Sequence, residues 1–393
     1  MNTPRPAAEG HAVRGASEPT PLVASLLQQI SESGPVTFAE FMGACLYHPE
    51  FGYYTRRGAA EAAGAADYVT SVDVHPIFGR LLARQLAEMW REMGAPREFW
   101  LVEGGAGTGR LAAQILDFAA RELRDFYGAA RYGAVEFSAA RRGAHSAAIG
   151  AHVAAGRAES LAELPRAVPA GVIFSNELLD ALPVHRVVRA GGELREFYVD
   201  ADGNGGLKET VGPLSTTALE EYFRAQEIEL REGQVAEAGL GASRWIEDAG
   251  RRLGRGFVLT VDYGYAAREL YDETRARGTL LGYERHRTTE EWLRAPGQQD
   301  LTAHVNFTAL EMAGRRVGLE PVGLVSQSHF LLALAGANRL ADFEDSGASE
   351  AERYRARLGF QTLVHPDGMG ETFRVLAQMK GIEGARLSGF SAI

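Results

Sequence analysis

The apolar positions of this chain follow two rhythms, helical spacing and short unbroken runs, and their alternation predicts an α/β protein. Residues 22–30 have helical spacing, and Gly34-Pro35-Val36-Thr37 is a turn whose Thr37 can N-cap a helix carrying Phe38, Phe41 and Met42. Residues 77–93 read as a long amphipathic helix with Phe78, Leu81, Leu82, Leu86 and Trp90 on one side. The run 99–102 suits a strand buried on both faces, and Leu111, Ile115, Leu116 and Phe118 then take helical spacing. Further strands are predicted at 132–138, 151–155, 171–175, 256–265, 322–325 and 330–335, while 354–363 and 373–380 read as helices. The expected fold is a doubly wound, seven-stranded Rossmann-like α/β sheet with a helical lead-in over 21–94. A core over 95–393 carries insertions at about 186–232 and 265–307.

Between the strand at 99–102 and its helix lies Glu103-Gly104-Gly105-Ala106-Gly107-Thr108-Gly109-Arg110-Leu111. Glycines there permit positive φ and close backbone approach, so a ligand can sit against the helix N-terminus. Gly104 to Gly109 has phosphate-loop spacing, but Arg110 and Leu111 stand where lysine and a Mg²⁺-binding hydroxyl belong, which excludes a nucleoside triphosphate. The dinucleotide pattern begun at Gly105 finds Arg110 in place of its last glycine, which disfavours NAD. Glu103-x-Gly105-x-Gly107-x-Gly109 resembles the first motif of class I S-adenosylmethionine-dependent methyltransferases.

Two later strand ends carry polar groups to the same edge of such a sheet. Glu136, 27 residues beyond Gly109, is placed to accept both hydroxyls of a ribose, and Glu159 is a weaker candidate for an adenine amino group. The run 171–175 ends in Ser175-Asn176-Glu177-Leu178-Leu179-Asp180, where a helical turn after Asn176 would bring Glu177 and Asp180 together. Two such carboxylates can grip a guanidinium or take a proton from it. They also suit plain helix capping. His185 and Asp262 are weaker candidates nearby, and Asp300 and His304 are a candidate base and orienter. Residues 47–54 hold three tyrosines, Phe51 and His48, a density that suits a pocket wall or local loop packing.

Composition narrows the classes. Apolar residues make up 46% of the 393, ample for a core. Net charge is 41 − 51 = −10 without a Lys/Arg-rich run, which argues against nucleic acid and suits a cationic partner. The single cysteine, Cys45, excludes an intramolecular disulfide and a cysteine-cluster metal site, and no metal is expected. No apolar stretch approaches membrane-spanning length. Residues 1–20 are rich in Ala, Pro, Gly, Ser and Thr and lack an apolar h-region, so a disordered tail is expected, with a transit peptide as the alternative. The expected location is a bacterial cytoplasm, or the mitochondrial matrix if that tail is a transit peptide. Oligomeric state is not legible.

In order and combination these stretches resemble the MidA family of class I methyltransferases over roughly residues 22–380. That family includes a mitochondrial complex I assembly factor acting as a protein arginine methyltransferase. The resemblance rests on His48-Pro49-Glu50-Phe51-Gly52-Tyr53-Tyr54, on Asp67 to Ser71 followed by Phe78-Gly79, and on Glu103 to Leu111. It also rests on Ser175 to His185, on Asp262-Tyr263-Gly264, and on Asp300 to Phe307. It implies a seven-stranded sheet with its last strand antiparallel and a helical region covering the site. S-adenosyl-L-methionine would lie over Gly105, Gly107 and Gly109, with Glu103 and Asn176 beside it and Glu136 on the ribose. The acceptor implied is a protein arginine, in respiratory complex assembly, and the carboxylate pair read above, Glu177 and Asp180 with His185 near, would orient it. Here Thr70-Ser71-Val72-Asp73 replaces the family's Thr-Ser-Pro-Glu, which leaves open what the proline and glutamate would have done. A small-molecule acceptor, a cofactor-binding assembly chaperone without catalysis, and a nicotinamide oxidoreductase are the competing readings.

Overall fold

The computed structural model describes residues 20–56, 70–284, 287–336 and 349–391. The tail at 1–19 and residues 67–69 of the family motif lie outside these. Numbered in chain order, the central sheet is β1 Phe99–Gly104, β2 Ala130–Val135, β3 Ala158–Leu161, β4 Val168–Asn176, β5 Leu253–Tyr265, β6 Glu320–Ser326 and β7 Phe373–Lys380. Among the described residues its order is β6-β7-β5-β4-β1-β2-β3, and a short strand Val305–Asn306 pairs with the far end of β5. Strand β7 runs antiparallel to β5 and β6, while β1 to β5 are mutually parallel, as the resemblance implies.

Two swaps distinguish this sheet from the sequence reading. The run 330–335 lies in the helix Gln327–Ala335, N-capped by Ser326, and the expected helix at 373–380 is the inner strand β7. An unbroken apolar run suits a buried helix as well as a buried strand, and only the cap distinguishes them. Likewise residues 151–155 close the helix His145–Ala154, and the third strand begins at Ala158, so Glu159 sits exposed within an edge strand.

Helix Ile77–Glu92 lies on the sheet with Phe78, Leu81, Leu82 and Leu86 buried, in one core with Leu101, Leu111, Ile115 and Phe174. The helices Pro21–Ser33 and Phe38–Tyr47 instead share a second core with the insertions. Leu26, Phe38 and Met42 pack with Val199, Trp292, Leu293 and Leu301. Val36 and Thr37 extend the antiparallel inserted sheet by pairing with Val199 and Tyr198. At its centre the Arg186 guanidinium lies 5.1, 4.7 and 4.4 Å from the ring centroids of Phe38, Phe197 and Trp292 and pairs with Glu209.

Candidate active site

Because β1, β2, β4 and β5 are parallel, their carboxyl ends share one edge, where Gly104, Val135, Ser175 and Thr260 stand in register. The turn after β1 holds Gly105, Gly107 and Gly109 at φ +71°, +53° and +82°. A Cβ on Gly105 would meet Leu178 at 2.9 Å, so that glycine closes the turn onto the loop after β4. A Cβ on Gly107 would meet nothing within 4 Å and faces open space. Glu136 braces the turn, since Oε2 accepts from the Gly107 amide at 3.0 Å and Oε1 from that of Ser138 at 2.8 Å. His145 braces it from the far side through Gly107 O at 2.9 Å and Ser160 Oγ at 2.8 Å. Nothing in the sequence singles out this histidine, which begins a helix 36 residues after Gly109. Glu103 is buried, accepts the Tyr132 hydroxyl at 2.6 Å and is pushed up to about 7, chiefly by burial. Phe137, half exposed, sets its ring 5.2 Å from that of Tyr47.

The loop after β4 is an irregular turn and not a helix. Glu177 takes φ +53°, and its Oε1 accepts from the Ser71 amide at 2.9 Å and from Asn176 Nδ2 at 3.1 Å. Asp262 caps the turn by accepting from the amides of Leu178 at 3.2 Å and Leu179 at 2.8 Å. Asp180 accepts the Tyr263 hydroxyl through Oδ2, and Oδ1 is buried without a hydrogen-bond partner, as is Asn176 Oδ1. Glu177 and Asp180 act on each other electrostatically although no helical turn joins them, and Asp262 feels both. Burial pushes Glu177 up to about 8, Asp180 up to about 6, and Asp262 well above the carboxylate range, the last helped by Asp180 and Glu177. No ion pair reaches any of the three among the described residues, so the edge carries acid without a counter-cation.

His185 is not brought to this cluster. Its Nδ1 bonds Glu196 Oε1 at 2.7 Å inside the inserted sheet, which makes it a structural partner. Asp300 and His304 do not pair either. Asp300 accepts from Tyr54 at 2.8 Å, and His304, pushed down to about 4 by burial and Arg275, packs 5.5 Å from Tyr263. His48 accepts the amides of Glu50 and Phe51 at 3.2 Å and stacks on Phe51, a local turn role. Tyr47 does reach the site, where its hydroxyl donates to Ala181 O at 2.9 Å and lies in the field of Asp300, Asp180, Arg141 and Glu136. The substituted Thr70–Asp73 motif keeps its local chemistry, because Asp73 completes the capping box with Thr70 and pairs with Arg110 of the helix after the glycine turn.

A family model described as "Putative S-adenosyl-L-methionine-dependent methyltransferase" matches residues 81–325, well over half of the chain. The chain belongs to this family, the MidA methyltransferases. A crystal structure of a Burkholderia thailandensis protein bound to S-adenosyl-homocysteine is similar to it at 31% identity and TM-score 0.83. The match covers 96% of this MidA chain and 98% of the other. Relatives include the Drosophila melanogaster "Protein arginine methyltransferase NDUFAF7 homolog, mitochondrial", 28% identical over 95% of this chain and 88% of its own length. The Homo sapiens "Protein arginine methyltransferase NDUFAF7, mitochondrial" is 29% identical over 91% and 83%. The MidA chain is accordingly an S-adenosylmethionine-dependent methyltransferase. Its residues fit the cofactor, since open space faces Gly107 and an orphaned Asn176 oxygen lies at the same sheet edge.

Proposed function

We propose that this MidA protein transfers the methyl group of S-adenosylmethionine to an arginine side chain of a protein. The observation that carries the reading is the group of the partly buried Glu177 and the buried Asp180 and Asp262 at the open sheet edge, none of them ion-paired with a cation among the described residues. A guanidinium supplies the missing charge and fits carboxylates through paired N–H donors. The names of the NDUFAF7 relatives support the same acceptor.

Bound S-adenosylmethionine supplies an electrophilic methyl on a sulfonium. The chain then has to align the acceptor nitrogen in line with that carbon and exclude water. In the proposed arrangement Gly105, Gly107 and Gly109 carry the cofactor on bare backbone. Glu136 is assigned to the ribose hydroxyls and Phe137 to the base. Asn176 Oδ1 and Glu103 serve the polar end. The Glu177 oxygen not held by Ser71 receives the guanidinium, with the Asp180 carboxylate behind it as a neighbouring negative charge. Asp262 is assigned to shaping the turn and His185 to the inserted sheet, outside the chemistry.

We further assign residues 21–56 and the inserted sheets to one cap over the site, and the acceptor to a protein in respiratory complex assembly. The location proposed is a bacterial cytoplasm, or the mitochondrial matrix if residues 1–20 direct import. No helix among the described residues is long and apolar enough to cross a membrane. The test is methylation of arginine, lysine and alanine versions of one peptide library with isotope-labelled S-adenosylmethionine. Labelling confined to the arginine version is expected, and labelling of small amines alone would refute the reading.

A further inference from the structure

We propose that the Tyr263 hydroxyl is a catalytic relay, carrying the proton of the acceptor nitrogen to Asp180. This rests on the arginine reading above. Guanidinium and sulfonium enter with one positive charge each, whereas a methylguanidinium and a neutral thioether leave. As the N–C bond forms and the S–C bond breaks, one proton must therefore depart from the attacking nitrogen.

Three observations place that exit at Tyr263. Its hydroxyl donates to Asp180 Oδ2, so a proton taken by the phenol oxygen is matched by one passed on to the carboxylate, and the phenol ends neutral. Tyr263 is partly exposed as a residue while Asp180 is only 5% exposed, so the carboxylate is the more enclosed member of the pair. Asp180 has no cation partner among the described residues, and a buried carboxylate without a counter-charge gains by accepting a proton.

The surroundings favour the same direction of transfer. Facing Asp180 are Glu177 from its own loop, Asp262 and Tyr263 from β5, Tyr47 from helix Phe38–Tyr47, and Tyr283 from strand Leu281–Glu284. Asp300 faces both Tyr47 and Tyr283, His304 packs on Tyr263, and the cations Arg141 and Arg275 face Tyr47 and His304. The segment is held in place, because the Ala303 amide donates to Asp180 O at 3.0 Å and Tyr47 to Ala181 O at 2.9 Å. Glu177 differs from Asp180 in its partner, since its Oε1 is held by the Ser71 amide, whereas Asp180 Oδ2 is held by a hydroxyl whose proton it can take. It binds, and Asp180 accepts the proton.

The experiment is steady-state kinetics of the full chain on an arginine peptide between pH 5.5 and 9, for wild type, Tyr263→Phe and Asp180→Asn, with S-adenosylhomocysteine affinity measured separately. Expected are a kcat loss of about 100-fold in Tyr263→Phe, KM and cofactor affinity near wild type, and an acid limb in the wild-type kcat profile that Asp180→Asn abolishes. Wild-type kcat in Tyr263→Phe would overturn the relay, as would a loss that resides wholly in cofactor affinity. Asp180→Asn still accepts the tyrosine hydroxyl but takes no proton, so wild-type kcat there overturns the relay even if Tyr263→Phe does not fold. Absence of arginine labelling by wild-type protein would instead refute the acceptor assignment.

Discussion

Glu177 is a non-glycine residue at φ +53° whose carboxylate serves two sides at once, anchoring Ser71 with one oxygen and leaving the other without that duty. Glu177→Gln keeps an oxygen for the Ser71 amide and removes the charge. The expected outcome is a rise of about tenfold or more in KM for an arginine peptide, with S-adenosylhomocysteine affinity near wild type. The same substitution gives a thermal test. Burial lifts this carboxyl from an ordinary 4.5 to about 8, so its stability contribution is full below 4.5 and is lost as pH rises through 8. Melting of Glu177→Gln is therefore expected several degrees above wild type at pH 8.5, with the advantage gone at pH 4.5. Gly107→Ala places a methyl where open space faces the turn and costs about 1–2 kcal/mol of backbone strain. Calorimetric titration is expected to show at least about a tenfold loss of S-adenosylhomocysteine affinity. Residues of this kind could be proposed from the sequence where one short motif carries them, as with Gly105 to Gly109, Glu136 and the pair Glu177 and Asp180. Tyr47, His145 and Tyr263 were not assigned roles, because each reaches the site from a different strand end or helix and no local spacing records that meeting.

Elements show the same division. The parallel strands β1, β2, β4 and β5 were read correctly because each is a short apolar run ending in polar residues or glycine. The exchange of helix and strand between 330–335 and 373–380 arose where burial on all sides erases periodicity. Gln378, for example, is fully buried in β7 and makes the strand look amphipathic. The inserted sheet was legible as an insertion at about 186–232, but its pairing with Val36 and Thr37 joins segments more than 160 residues apart. That junction turns on Arg186. Arg186→Met leaves Glu209 and Glu237 buried without their cation, and a loss of about 3 kcal/mol in denaturant unfolding is expected, with faster amide exchange over 21–47.

At the scale of the whole molecule, a parallel sheet supplies the cofactor edge and a second core, built from lead-in helices and insertions, meets it there. Tyr47 lies at that meeting, within the field of Glu136 on the cofactor side and of Asp180 and Asp300 on the other. A net charge of −10 adds long-range attraction for a basic segment, so KM for a basic arginine peptide is expected to rise several-fold from low to high salt. Cofactor and fold were readable from the order of motifs along the chain, while the acceptor had to be argued from three carboxylates that no cation pairs with among the described residues. The most direct measurement is amino-acid analysis of a protein acceptor after incubation with this protein and methyl-labelled S-adenosylmethionine. Label recovered in methylarginine, and strongly reduced but still measurable in Asp180→Asn, is the expected result. Label in any other residue, or none while S-adenosylhomocysteine binds tightly, would contradict the account.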